Sequence, residues 1–246
     1  MGIEPVPDEP AATVETDGQR LLVIADYHAG IESVLSADGI ELDSRAPDRR
    51  ETVLTLLDEF GADRLVVLGD LVHTIGDPWT RERTEVEMLV EALDVPLTLV
   101  KGNHDGVIES VLEEFGDAVE ITPTDGIRIG NVGFAHGHTW PREAVLEAPL
   151  VCIGHEHPVV RLEDDVGGYR MERVWLRGDL HPPAFEAITD RIDGELVVFP
   201  AFNDLSGGTW INVRGQEFLS PFLPDGIRNG QAYLLDGTRL GTYRDI

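Results

Sequence analysis

The sequence predicts an α/β fold in which a β-sheet is covered by helices. Between residues 20 and 115, short apolar segments alternate with amphipathic helical segments, which is the pattern of such a sheet. Beyond residue 115, short strands separated by Gly, Asn and Asp-Gly turns dominate. The 246 residues contain no internal repeat and suffice for a full apolar core. We expect an acidic, proline-rich lead and first strand over residues 1–19, and a single domain over residues 20–246.

The first half of the chain predicts one hairpin, three helices and two further strands. Asp17-Gly18 is a hairpin turn signal, and Arg20–Ala25 after it becomes continuously apolar, as in a buried strand. Pro47 and Gly61 are start and stop signals for the first helix. The other elements expected here are helices at residues 80–93 and 107–115, and strands at Leu65–Leu68 and Leu97–Val100.

The second half predicts mostly short strands. Each is an apolar run bounded by turn residues. They are Ile127–Ile129, Val132–Ala135, Leu150–Ile153, Val174–Leu176, Leu196–Phe199 and Tyr233–Leu235, with a helical stretch at Ala184–Asp190.

Composition excludes several classes of protein. The N-terminus lacks the features of a secretory signal, and no run of 18 apolar residues exists, so we expect a cytoplasmic protein without membrane association. A single cysteine, Cys152, excludes a disulfide framework and a cysteine zinc site. The net charge of −27, with Lys101 as the only lysine, favours a halophilic protein adapted to molar salt, where charge repulsion is screened.

Five polar clusters each follow an apolar strand. In an open α/β sheet, such strand ends line one crevice, so we expect these clusters to converge. Carboxylate, imidazole and amide groups without thiolates suit manganese, zinc, iron or nickel. The clusters are Asp26-Tyr27-His28, Gly69-Asp70, Gly102-Asn103-His104-Asp105, His136-Gly137-His138 and Gly154-His155-Glu156-His157.

In this order, the clusters resemble the motifs of the calcineurin-like metallophosphoesterases: Asp-x-His, Gly-Asp, Gly-Asn-His-Asp/Glu, a single His and Gly-His-x-His. The resemblance covers residues 26–157. It implies a two-sheet β-sandwich flanked by helices, and two divalent ions, with Mn²⁺ preferred over Zn²⁺, Fe²⁺ or Ni²⁺. The implied ligands are Asp26, His28, Asp70 and His157 for one ion, and Asp70, Asn103, His136 and His155 for the other, with Asp70 bridging.

The same resemblance implies the catalytic roles. A water activated by the two ions would attack phosphorus, so no serine or cysteine nucleophile is required. His104 would protonate the leaving group or stabilise the transition state, and Asp105 would orient the His104 ring.

Other residues near these motifs have open roles. His138 could replace His136 as a ligand, although His136 lies nearer to the strand end. For His73 we favour packing near the site without contact to metal. Asn203 and Asp204 could border the cleft.

Shorter segments resemble a particular branch of the superfamily. ADYHAGIES, GDLVH, GNHD, GHEHP and PAFNDLSGG are similar to the archaeal SbcD-related phosphoesterases and to bacterial enzymes associated with a DNA helicase and ligase. This implies a phosphodiesterase or endonuclease that acts on DNA in repair, with single-stranded DNA as a possible substrate and a helicase as a possible partner. The oligomeric state is not predicted.

Two other functions are compatible with the motifs. One is hydrolysis of nucleotides or other small phosphate esters. It is favoured by the absence of a basic stripe, because the arginines between residues 45 and 83 are interleaved with acids. The other is a non-catalytic scaffold, which is disfavoured because every ligand position is retained.

The charge leads to a test of salt adaptation. We expect the thermal unfolding temperature to rise when KCl increases from about 0.1 M to about 3 M, because the Debye length falls from about 10 Å to below 3 Å. Circular dichroism melts would measure the shift. An unfolding temperature that is constant or lower at high salt would contradict the interpretation.

Overall fold

The computed structural model describes residues 2–40, 42–163 and 166–246, which form two β-sheets with helices packed outside them. The first sheet contains, in spatial order, β1 (Ile3–Pro5), β2 (Ala11–Thr16), β3 (Gln19–Ile24), β4 (Arg64–Val67), β5 (Leu97–Val100) and β6 (Val119–Thr122). Its first three strands are antiparallel, and β3 to β6 are parallel.

The second sheet is built from the C-terminal half of the chain. Its strands are β7 (Ile127–Ile129), β8 (Val132–Ala135), β9 (Leu150–Ile153), β10 (Val159–Glu163), β11 (Tyr169–Leu180), β12 (Glu195–Val198), β13 (Ile227–Leu234) and β14 (Arg239–Thr242). The order is β14-β13-β11-β12-β9-β8-β7, and β10 pairs with β11. Within it, β8, β9 and β12 are parallel.

The helices are α1 (Ile31–Ala37), α2 (Ala46–Phe60), α3 (Thr80–Glu91), α4 (Glu109–Leu112) and α5 (Glu143–Leu146). Helix α2 has a proline in its first turn and ends at Gly61, whose φ of 56° allows the left-handed termination. No helix among the described residues is long and apolar enough to cross a membrane.

Three apolar layers hold these elements together. Successive side chains of β3 point to opposite faces, so Leu21 and Val23 face the second sheet while Leu22 and Ile24 face α2 and α3. Between the sheets, Trp175 is buried against Phe199, with ring centroids 4.7 Å apart. A third layer covers the outer face of the second sheet. The predicted layered α/β fold with two sheets is therefore confirmed.

Most predicted elements are present, and two are corrected. The helix expected at residues 107–115 divides into α4 and a 3-10 helix, Glu113–Ala118, which Gly116 interrupts with non-helical dihedrals. The stretch 184–190 is not an α-helix: a 3-10 turn at Pro182–Ala184 is followed by turns around the buried Phe185. The apolar residue in this stretch is explained by the packing of Phe185 against Phe222 and Trp140, and not by the buried face of a helix.

The topology brings the strand ends of both sheets to one place. The carboxyl ends of the parallel strands β3, β4 and β5 lie at one edge of the first sheet. The carboxyl ends of β8, β9 and β12, which are also parallel, lie at one edge of the second sheet. Two hydrogen bonds join these edges, because the amides of Phe202 and Asn203 donate to the carbonyls of Ala25 and Asp26. The polar clusters that follow these strands are thus adjacent.

Candidate metal centre

The five polar clusters converge around two buried carboxylates, Asp26 and Asp70. Two groups of potential ligand atoms lie there, with the atoms of each group within 4.8 Å of one another. One group is Asp26, His28 and His157, and the other is Asp70, His136 and His155.

Asp26 is the centre of the first group. Its Oδ1 lies 3.1 Å from His157 Nε2, and the backbone amide of His155 donates to the carboxylate. His28 Nε2 is 3.4 Å from His157 Nε2. Burial opposes ionisation of Asp26, but the His157 and His136 imidazoles outweigh it and lower the pKa of the carboxyl group.

Asp70 faces both groups. Its Oδ2 lies 3.4 Å from His136 Nε2 and 3.9 Å from His28 Nε2. Its Oδ1 accepts a hydrogen bond from the backbone amide of His104 at 2.9 Å. Asp70 thus lies close to ligand atoms of both groups and would be available to both ions.

Backbone carbonyls orient the imidazoles of both groups. His136 Nδ1 donates to the Leu68 carbonyl at 2.7 Å, and His157 Nδ1 donates to the Gly207 carbonyl at 2.8 Å. These bonds leave Nε2 of each ring facing a carboxylate, as the hydrogen bonds that orient metal-binding histidines do. Asn103 Oδ1 lies 3.1 Å from His136 Nε2, so the amide oxygen is also directed into the second group.

Five of the predicted ligands have left-handed backbone conformations. Such φ values are uncommon for residues with a Cβ, and they concentrate at functional sites because the surrounding structure must impose them. The residues are Asp26 (57°), His28 (47°), Asp70 (50°), His155 (69°) and His157 (43°).

Three glycines make this arrangement sterically possible. A Cβ on Gly69 would lie 2.4 Å from His136 Nδ1, and one on Gly102 would lie 2.1 Å from Asp70 Oδ1. A Cβ on Gly154 would lie 2.8 Å from Asp26 Oδ2. Each glycine therefore allows the backbone to touch a predicted ligand.

Comparison with known proteins identifies the family of this chain. The calcineurin-like phosphoesterase family matches residues 19–183, about two thirds of the sequence. The chain belongs to this family. It is accordingly a hydrolase of phosphoester bonds, and no curated protein matches its sequence.

Solved structures are similar to this phosphoesterase at low sequence identity. The nuclease MPE of Pseudomonas putida has a TM-score of 0.58 and 19% identity, covering 94% of this chain and 100% of that one. The phosphoesterase Yfce of E. coli has a TM-score of 0.42 and 17% identity, covering 90% and 96% of the two chains. The first likeness supports the fold.

The donor set of the phosphoesterase fits divalent metal ions. Carboxylate and amide oxygens with imidazole nitrogens, and no thiolate, are ligands of first-row divalent metals. The two buried carboxylates supply negative charge that a cation would neutralise. Asp26, His28, Asp70 and His157 could hold one ion, and Asp70, Asn103, His136 and His155 the other.

His104 lies beside this centre, but Asp105 does not orient its ring. The Asp105 carboxylate accepts hydrogen bonds from the backbone amides of Gly102, Leu71 and Val72, so it ties two ligand loops together. His104 Nδ1 instead contacts the carbonyl of His73, and its Nε2 lies 3.7 Å from Asp70 Oδ2. The orienting role expected of Asp105 is filled by a backbone group that the motif does not reveal.

The remaining candidate positions surround the two groups. His73 Nδ1 lies 3.3 Å from His28 Nδ1, and the His73 ring stacks on His104, so His28, His73 and His104 form a third group of potential ligand atoms. The His138 ring lies 5.2 Å from that of His136, and its Nδ1 has no hydrogen-bond partner. His136, not His138, is grouped with Asp70 and His155.

Asn203 and Asp204 have clear structural partners. The Asn203 side-chain amide donates to the carbonyls of Tyr27 and His28, which secures the loop after β3. Asp204 forms an ion pair with Arg45 at 2.6 Å. The PAFNDLSGG segment therefore contributes to the site by holding a ligand loop.

Helix α3 holds two ligand loops through buried glutamates that lie outside the sequence motifs. Glu82 accepts hydrogen bonds from the amides of His73 and Thr74, and Glu85 accepts one from Gly30. Arg49 pairs with Glu85 at 2.6 Å and offsets its buried charge. The available signal was the occurrence of acids on the apolar face of a predicted helix.

Substitution of Gly102 tests the steric requirement. Gly102→Ala should displace Asp70 and reduce bound divalent metal at least tenfold, while the sheets remain folded. Gly106→Ala is the matched control, because a Cβ there meets nothing within 4 Å. Metal content after Mn²⁺ reconstitution would be measured by mass spectrometry. Equal metal content in both variants would contradict the geometry.

Proton competition gives a second test. Burial disfavours protonation of His136, but Asp70 and Asp26 outweigh it and raise its pKa to about 9. At pH 6 to 8 a metal ion must therefore displace a proton, so Mn²⁺ affinity should rise with pH towards about 9. Calorimetric titrations in two buffers of different ionisation enthalpy would measure proton release. Affinity independent of pH, without proton release, would be inconsistent with this site.

Proposed function

We propose that this phosphoesterase is a manganese-dependent phosphodiesterase or endonuclease that acts on DNA. The observation that carries the proposal is the position of Asp70, a buried carboxylate that belongs to one ligand group and whose Oδ2 also lies 3.9 Å from His28 Nε2 of the other. Such a residue is suited to hold a pair of ions around one phosphate.

Two bound divalent ions would stabilise charge on the phosphoryl oxygens and activate a water nucleophile. The protein groups would hold those ions and position the phosphate. His104 is suited to protonate the leaving oxygen, because the His73 carbonyl orients its ring and part of the side chain is exposed to solvent. Asp105 would maintain the distance between the loops that carry Asp70 and Asn103.

The choice of DNA rests on sequence resemblance and on one structural likeness. The segments GDLVH, GNHD and PAFNDLSGG are similar to the SbcD-related branch of DNA phosphoesterases. The Pseudomonas putida protein of the same fold is a nuclease. We place the enzyme in DNA repair in a high-salt cytoplasm, with single-stranded DNA as substrate and a helicase as partner.

Hydrolysis of nucleotides or other small phosphate esters is the second candidate. It is favoured by the net charge of −27, which repels a polyanionic strand at low salt. A plasmid-nicking assay beside a nucleotide panel, both with Mn²⁺ and high KCl, separates the candidates. Nicking without nucleotide hydrolysis supports the first, and the reverse supports the second.

Replacement of His104 tests the mechanism. His104→Ala should lower the rate of oligonucleotide phosphodiester hydrolysis by about 10²–10³, the usual cost of losing a transition-state donor, because the leaving alkoxide needs a proton. Metal content should be unchanged, because His104 is not among the proposed ligands. His181→Ala is the control, since that ring donates to the Asp225 carbonyl outside the site. Hydrolysis by His104→Ala at the wild-type rate would refute the role.

A further inference from the structure

A cavity of about 340 Å³ lies beside the metal centre, between helices α1, α2 and α3. Gly30 lines it and is two residues from His28, a separation of at most about 7 Å along the chain. The Gly30 amide donates to Glu85, which also lines the cavity. The cavity wall and the ligand loop after β3 are therefore parts of one hydrogen-bonded unit.

Two arginines in this cavity lack partners. Most arginines of this acidic chain pair with carboxylates or bind backbone carbonyls; Arg45, for example, pairs with Asp204, and Arg49 with Glu32 and Glu85. Among the arginines in the described part of the chain, only Arg50, Arg81 and Arg214 have side chains without a hydrogen bond or ion pair, and the first two line this cavity. Two guanidinium groups without carboxylate partners in one cavity are suited to bind an anion.

The acidic residues of the cavity already have hydrogen-bond partners. Glu32 accepts two hydrogen bonds from Arg49 and one from the Arg45 amide. Glu85 accepts two from Arg49 and one from the Gly30 amide. Arg49 thus offsets part of the negative charge, and the guanidinium groups of Arg50 and Arg81 remain available for a ligand.

The rest of the wall is suited to an apolar body. Leu42 and Met88 are 38% and 45% exposed, so both side chains offer apolar surface to a ligand in the cavity. Pro47 adds a rigid apolar surface, and the hydroxyls of Ser33 and Ser44 lie at the same wall. The cavity therefore combines cationic, hydroxyl and apolar groups.

We propose that this cavity binds a nucleotide unit, with its phosphate on Arg50 and Arg81 and its base against Leu42, Pro47 and Met88. This proposal rests on the proposed function for one point, that the bound nucleotide is part of the substrate strand. A free nucleotide carries the same phosphate and base, and the experiment distinguishes the two ligands.

The experiment compares the double variant Arg50→Gln/Arg81→Gln with Arg214→Gln, the remaining unpaired arginine, which lies outside the cavity. Binding of AMP is measured calorimetrically on EDTA-treated protein, so that the metal centre does not contribute. Hydrolysis of an oligonucleotide and of bis(p-nitrophenyl) phosphate is measured with Mn²⁺ at the same KCl concentration. Circular dichroism confirms that each variant is folded.

In the double variant we expect the Kd for AMP to rise at least tenfold, and kcat/KM for the oligonucleotide to fall at least tenfold relative to bis(p-nitrophenyl) phosphate. Arg214→Gln should alter neither value. Loss of AMP binding alone would support a site for free nucleotides. No change in either quantity would overturn the proposal. Failure of the wild type to hydrolyse either substrate would refute the proposed function separately, because AMP binding needs no activity.

Discussion

The structure depends on two carboxylates that are buried without being neutral. Asp26 is fully buried and Asp70 nearly so, yet the pKa of each carboxyl group is lowered, because imidazoles within about 4 Å oppose the cost of desolvation. An ionised pair of this kind requires cationic partners. Protonated imidazoles provide the positive charge when no metal ion is bound, and bound divalent ions would take over this role. The surrounding histidines, glycines and left-handed residues serve this requirement.

Holding these charges close together requires a rigid outer layer. Glu82 and Glu85 on α3 bind the loops that follow Asp70 and His28, and Asp105 joins the loops that contain Asp70 and Asn103. Backbone carbonyls orient the imidazoles. Several of these contacts come from helix α3 or from residues directly after strands, and such elements hold a site more precisely than long loops do.

The acidity of the chain gives its few basic residues distinct roles. Arg49 offsets buried glutamates, Arg45 pairs with Asp204 beside the loop that Asn203 secures, and Arg50 and Arg81 remain unpaired in one cavity. In the sequence these arginines alternate with acids and no basic surface is predicted. The folded structure shows which arginines are neutralised by carboxylates and which remain free to bind a phosphate. Only the unpaired arginines can attract an anionic substrate.

Local patterning accounts for what the sequence predicted well. The β2-β3 hairpin, helix α2 between Pro47 and Gly61, and the parallel strands follow from turn residues and apolar periodicity, and the donor residues follow directly after those strands. The short edge strands β1 and β14 and the division of the helix after residue 107 carry weak local signals and depend on their neighbours.

The sequence by itself determined the chemistry of the site: which donors are present, in what order, and at which strand ends. Only the tertiary structure decided that the His73 carbonyl, not Asp105, orients His104, that α3 secures two loops, and that Arg50 and Arg81 share a cavity. The reason is physical. Residue type and periodicity act over a few residues, whereas the distance between two loops depends on how the sheets and helices pack.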